Sequence, residues 1–550
     1  MTIDKFYVLV SSFFLTALLI FAMACSQDSI AEVQENNVVA TTEATTEATT
    51  EATTEATTEA TTEATVRTLR IAVPSKFLSE VSTDLLLEEI FLRKLYVGLS
   101  RIDPSGHLRP EMLVALPSRE NEGISSDGLT YTFLLAQDLK WSNEEPVTAQ
   151  QILDTLNSYD TVKETKPGLL ELFSNIDLEQ SIVLDDRTLV LKLRESSSEF
   201  LTLSALLPFF PIRSGSSDGG TYFFSNGPFK ISSWEDSRVT LVSNDQWIDQ
   251  IGNIAAHEIQ ELEFVGYDSF SDATEGFLND EVDVVNVIAS QLSSDFQIPS
   301  EGEISAKTRH ITYGVFVNSE SMFFSQVDSR KALALNLNKR ELLDMLSVEI
   351  QRGHSYTNSW IPEGISGSDN SAGLALSGSK ELATDYWARG KNAEGINVEL
   401  LYSSENSLHT ELAVELKKLW EQKLPLQVNL RPENSEEYFA DLKTGHYQLA
   451  IGGWQTDYPS AANWLHPFVT DSDENFLSFS DDKYDSFLQS ADMANNRDER
   501  FSEYAKAHNY LIEQGVIIPI LHPLSLALVR SEFSAAVNTM FDFQGMWIFD

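Results

Sequence analysis

The chain has 550 residues, with 83 Asp and Glu against 38 Lys and Arg and a formal net charge of -45. That balance excludes non-specific nucleic-acid binding, which needs clustered cations, and it opposes contact with anionic headgroups unless the chain is anchored. A hydrophobic content of 42% supplies sizeable cores, and the one cysteine leaves no internal disulfide, so packing must hold the fold.

At the amino end, Lys5 precedes Val8-Leu9-Val10 and the apolar run Phe13 to Phe21, near the length of a signal peptide. Ala22-Met23-Ala24-Cys25-Ser26 follows and looks like a bacterial lipobox, in which the chain is cleaved after residue 24 and Cys25 is lipidated on sulfur. The alternatives are an ordinary signal peptide with a chance cysteine, or an uncleaved anchor. No later stretch reaches the roughly 18 apolar residues that span a bilayer. From Thr41 to Ala64 the sequence TTEA recurs. Its glutamates repel one another and its threonines build no core, so 25–65 reads as lipid anchor and charged tether, about 100 Å long if extended.

The folded part begins with the alternating strand Thr68-Leu69-Arg70-Ile71-Ala72-Val73, then a helical pattern over 85–96. Asp127-Gly128 is a turn signal before the strand Leu129-Thr130-Tyr131-Thr132-Phe133. Lys140-Trp141 and Pro146-Val147-Thr148-Ala149 follow, with Thr148 as N-cap of an amphipathic helix carrying Ile152, Leu153 and Leu156. Ser225-Asn226-Gly227-Pro228-Phe229 opens another strand. Glu281-Val282-Asp283-Val284 starts a further one, and Val398 to Tyr402 pairs with a helix through Leu412, Leu416, Leu419 and Trp420. Val516-Ile517-Ile518-Pro519-Ile520 reads as a late strand. Alternating strands and helices point to mixed sheets flanked by helices.

The stretch with most chemistry is Gly452-Gly453-Trp454-Gln455-Thr456-Asp457-Tyr458-Pro459-Ser460, after the apolar strand Tyr447 to Ile451. It places a carboxylate beside aromatic rings and glycine backbone, and Pro459 ends regular structure. A carboxylate there can take a cationic amine through charge-assisted hydrogen bonds. Asp457 reads equally as a turn or cap residue, and Trp454 and Tyr458 as core aromatics.

Taken together, these runs resemble, in order and across essentially all of 66–550, the family 5 extracellular solute-binding proteins, the oligopeptide- and dipeptide-binding components of ABC importers. The resemblance implies an α/β, two-lobed periplasmic-binding-protein clamshell, type II-like, with an extra inserted domain. Lobe one takes 66–102, 205–307 and 516–550, the insert 103–204, and lobe two 308–515, after a signal peptide at 1–24. It implies that Asp457 pairs with a peptide's α-amino group, that Gly453 and Gln455 offer backbone contacts, and that Trp454 and Tyr458 line the site. The partners are then a peptide ligand and ABC permease subunits, with membrane contact through the Cys25 lipid only, no cofactor, and a monomeric receptor outside the cytoplasm. Some peptide-binding members carry an Arg where this chain has Ile451, so a partner for ligand carboxylate must come from elsewhere. A metal chelate, sugar or cell-wall peptide is the alternative ligand, and a tethered adhesin or sensor the alternative role.

Enzyme chemistry is poorly supported. Histidines show no metal spacing. Gly215-Ser216-Ser217-Asp218-Gly219 fits GxSxG without the strand–turn–helix context of a nucleophile elbow. Gly373 to Lys380 misses a phosphate loop by one position.

Overall fold

The computed structural model describes residues 67–79, 91–103, 106–159, 173–211, 213–217, 220–247, 258–287, 298–368, 378–390, 395–494 and 496–540. The signal segment, Cys25, the TTEA tract and most of the phosphate-loop near-miss lie outside them. Among the described residues no helix is long and apolar enough to cross a membrane.

A single twelve-stranded sheet runs through both lobes. Its first-lobe strands are β1 (Thr68–Pro74), then five more after an inserted segment. The insert is built on β2 (Thr130–Leu134), helix α1 (Ala149–Tyr159), β3 (Ile182–Asp185) and β4 (Thr188–Lys192), which pair in the order β2-β4-β3. The chain then returns through β5 (Phe229–Glu235), β6 (Arg238–Ser243), β7 (Glu261–Tyr267), helix α2 (Phe270–Leu278), β8 (Val284–Val287) and β9 (Gly302–Thr308). The second lobe holds β10 (Ile311–Val317), β11 (His354–Tyr356), β12 (Ile396–Ser403), helix α3 (Ser407–Lys423), β13 (Leu426–Glu433), β14 (Leu449–Gln455), helix α4 (Ala461–Leu465) and helix α5 (Arg497–Glu513). The long β15 (Ile517–Arg530) closes the sheet, whose order is β13-β12-β14-β10-β15-β8-β1-β7-β6-β5, with β9 and β11 also on β15.

Sequence explains most of these placements. The seven residues of β10 are all buried, as an unbroken apolar run in a central strand requires. Leu408, Leu412, Leu416 and Leu419 form one buried stripe of α3. The two faces of the second-lobe sheet carry separate cores, one with Tyr313, Val315, Leu400 and Ile451, the other with Phe316, Leu401, Ala450 and Trp464. The insert does not have a core of its own. Trp141, Phe133 and Leu189 join Leu69, Ile71 and Val529 of the first lobe in one cluster.

β15 makes the link between lobes. Its first half pairs with β10 and its second half with β8 and β9. β9 and β10 therefore run as almost one strand, antiparallel to β15, and together they form a two-stranded ribbon from lobe to lobe. The return to lobe one comes later than 516. Ile518, Ile520 and Leu521 still lie in the second lobe's core and Ile517 in its other cluster, because β15 starts inside that lobe. The ribbon is irregular where it crosses. Its register shifts between Tyr313 and Gly314, and Pro523, which has no N–H, accepts from Arg309 N at 2.8 Å. Gly314 keeps β10 and β15 close, since a Cβ there would stand 2.5 Å from the Ile518 carbonyl oxygen.

Histidines concentrate at this crossing. Burial pulls His310 and His409 down to about 3, and His354 and His522 to about 4. A neutral folded state and a protonated unfolded one give stability that is complete above about pH 6.5 and falls as pH drops toward 4. The melting temperature is expected to fall between pH 7.5 and 5, before most carboxylates titrate. His409→Leu, which removes a ring with both nitrogens buried and unpartnered, is expected to flatten that fall. An unchanged slope in the variant contradicts this assignment.

Candidate functional site

The strand expected to end at Ile451 continues to Gln455. Its glycines permit this rather than loosening it. A Cβ on Gly452 would stand 2.4 Å from the Phe316 ring, and one on Gly453 2.8 Å from the Tyr313 ring. β14 can lie against β10 only with glycine at both positions, in the register Gly452↔Gly314, Gly453↔Tyr313 and Gln455↔Ile311.

On its other side β14 pairs with β12 only at Leu449 and Ala450. Among the described residues the backbone from Gly452 to Gln455 has no strand partner on that edge. Gly453 and Gln455 are exposed there.

After Gln455 the chain turns. Asn463, in the first turns of α4, holds this turn from inside: its Oδ1 accepts from Thr456 Oγ1 at 2.8 Å and from Asp457 N at 2.9 Å. Ser460 caps α4 by accepting from Ala462 N at 3.3 Å. Thr456 N donates to the His310 carbonyl at 3.3 Å, so the turn hangs beside the interlobe ribbon. Thr456 is buried while Asp457 stays half-exposed.

The two aromatics of the motif pack against different hydrophobic clusters. Trp454 packs inward with the second-lobe core, 6.0 Å from the Phe468 ring and 6.5 Å from Phe476, and its indole N–H is buried without a partner. The ring is half-buried there. Tyr458 is 8% exposed and joins the first-lobe cluster. Through this ring the turn touches the first-lobe cluster.

Sequence reasoning passed over the hinge neighbours of this turn. The His310 carbonyl accepts from Thr456 N of the turn, and Tyr313 stands opposite Gly453 in the ladder. Tyr313 lies 6.3 Å from the His354 ring and 6.0 Å from the His409 ring. No motif marks these residues; only the pairing of β10 with β14 brings them here.

Nothing in this arrangement looks like a reaction centre. Ser217 ends a strand, Arg213–Ser217, paired in a hairpin with Gly220–Phe224, which is not a nucleophile elbow. Among the described residues no group of three or more His, Cys, Asp or Glu is placed to hold a metal ion.

A family profile described as bacterial extracellular solute-binding proteins, family 5, matches residues 118–476, well over half of the chain. The chain belongs to that family. A similar relative of this family 5 protein is the oligopeptide-binding protein OppA of Bacillus subtilis (strain 168), 23% identical over 462 residues that span 78% of this chain and 82% of the relative. Among solved structures, the unliganded open form of the murein tripeptide-binding protein MppA has a TM-score of 0.75 at 20% identity, covering 88% of this chain and 98% of that one. The ABC transporter substrate-binding protein CtaP from Listeria monocytogenes has a TM-score of 0.64 at 17% identity, covering 88% of this chain and all of that one (100%). These likenesses fix the fold of the family 5 protein as the two-lobed α/β clamshell of solute-binding proteins.

Proposed function

We propose that this protein captures short peptides in the cleft between its lobes and delivers them to an ABC permease. The observation that carries the reading is the unpartnered edge of β14 beside the Asp457 turn. A peptide can pair with that edge as an added strand, through main-chain groups that every peptide shares, whatever its side chains. Gly453 and Gln455 present the edge, and Asp457 receives the α-amino group. Relatives named for oligopeptide and dipeptide binding support the ligand class.

The amino end completes the proposal. Cleavage after residue 24 and lipid on Cys25 anchor the chain, and 25–65 tethers the receptor, a monomer, outside the cytoplasm. Closure about the β9–β10 and β15 ribbon buries the ligand.

The test is thermal unfolding of the full chain against a panel of di- to hexapeptides, sugars and metal chelates. A ligand at 100 times its Kd stabilises by about 2.7 kcal/mol. Stabilisation by peptides alone is the expected result. Stabilisation by sugars or chelates with peptides inert overturns the ligand class.

A further inference from the structure

The inserted segment touches the second lobe outside the β9–β10 and β15 ribbon. Glu199 stands at the N-cap of the short helix Phe200–Leu203, yet its side chain does not cap that helix. It reaches across to the other lobe instead. Its Oε1 accepts from Tyr504 Oη at 3.0 Å and lies 3.9 Å from Arg500 Nη1, both on α5. Beside it, the Ser198 carbonyl accepts from the same Arg500 Nη1 at 2.6 Å, and Ser198 Oγ donates to Asp492 Oδ1 at 3.1 Å. Asp492 ends the second-lobe helix Asp482–Asp492, and His466 Nε2 stands 3.4 Å from the same oxygen. Glu199 is 7% exposed and Tyr504 0%. A carboxylate of the insert is thus buried against a hydroxyl and a cation of the second lobe, and such burial is tolerated only where partners are in place.

A second contact lies at the other sequence end of the insert. Gly106, at φ +75°, is packed so closely that a Cβ would stand 3.0 Å from the Gly364 carbonyl oxygen and from Ser366 N. Ser366 N donates to the Pro459 carbonyl at 3.3 Å, and the Ser366 carbonyl accepts from Ala461 N at 2.8 Å. The insert therefore presses on the loop that braces the Asp457 turn. None of these contacts belongs to the twelve-stranded sheet, and each is made between protein groups alone. Rotation of the lobes about the ribbon must break them. Opening exchanges each hydrogen bond for one to water, so each favours the closed state by a factor of several rather than by orders of magnitude.

We propose that Ser198 and Glu199 of the insert form an interlobe latch with Asp492, Arg500 and Tyr504, which holds the cleft closed and sets how long any ligand stays, whatever its side chains. The inference rests on the closure in the reading above and assigns the insert a part in it.

The test uses the full chain as wild type, Tyr504→Phe and Ser198→Ala, with association and dissociation rates measured for the three tightest-binding peptides of the di- to hexapeptide panel. Tyr504→Phe keeps the buried ring and removes only the hydroxyl that Glu199 accepts from; Ser198→Ala alters a half-buried side chain and keeps the variant set informative if the first folds poorly. Each variant is expected to raise koff and Kd about 3- to 10-fold, by the same factor for all three peptides, with kon unchanged. A lowered melting temperature with unchanged koff marks a purely structural role and overturns the inference while leaving the receptor reading intact. Factors that differ among the peptides mark direct ligand contact and overturn it too. Failure of wild type to bind any peptide removes the receptor reading and the inference with it.

Discussion

Replacing Asp283 with alanine is expected to lower the unfolding free energy by about 3 kcal/mol, near the low end for breaking a buried ion pair. Asp283 is 0% exposed. Its Oδ2 accepts from Arg70 N at 2.8 Å and Arg70 Nε at 2.9 Å, and its Oδ1 from Arg70 Nη2 at 2.6 Å. Arg530 Nε stands 3.3 Å from the same Oδ1. One carboxylate thus joins β1 to the end of β15 across the start of β8. Removing it takes a partner from two guanidiniums and from the half-buried Arg70 backbone N–H, though Arg530 keeps Asp280 at 2.5 Å. The low end applies because Arg70 is 30% exposed and water takes over part of its charge. Arg530 also keeps its bond to the Phe277 carbonyl at 2.6 Å. Urea unfolding measures the loss as a lower midpoint with an unchanged slope. A loss under about 1 kcal/mol, the worth of a surface pair, contradicts the account. The same carboxylate anchors the first-lobe end of the hinge ribbon, so this is also where the clamshell is fastened.

Asp457→Ala is expected to weaken peptide binding by about 1.5–3 kcal/mol, roughly ten- to a hundredfold or more in Kd, and to cost less stability than Asn463→Ala. The separation of effects follows from the turn. Asn463 holds it through the Asp457 backbone N–H, which alanine keeps. Asn463→Ala is the complementary variant, expected to lose turn geometry and binding together with some stability. Equal stability losses in both variants contradict a ligand role for the Asp457 carboxylate.

Much of the fold was legible because its elements obey local rules. The Asp127-Gly128 turn precedes β2, Ala149 starts a helix directly after Thr148, and α3 shows its leucine stripe. What sequence could not give were consequences of long-range pairing. The continuation of β14 through Gly452 and Gly453 depends on rings from β10 that lie more than a hundred residues away. Glycine, weak in an isolated strand, is required by that packing. The return boundary near 516 was misplaced because apolar residues on both halves of β15 read alike, though they enter different cores. Tyr458 and Trp454 were expected together at the ligand; alternation along the strand and the turn after it send them to separate lobes.

An amino-group anchor at Asp457 is tested by the Kd of one peptide from the panel, with a free and with an acetylated amino terminus, for wild type and Asp457→Asn. The account predicts tight binding of the free amine by wild type alone, with acetylation and Asp457→Asn each costing about ten- to a hundredfold and their effects not adding. Additive losses, or an acetylated peptide bound as tightly as the free one, contradict an amino-group anchor at Asp457.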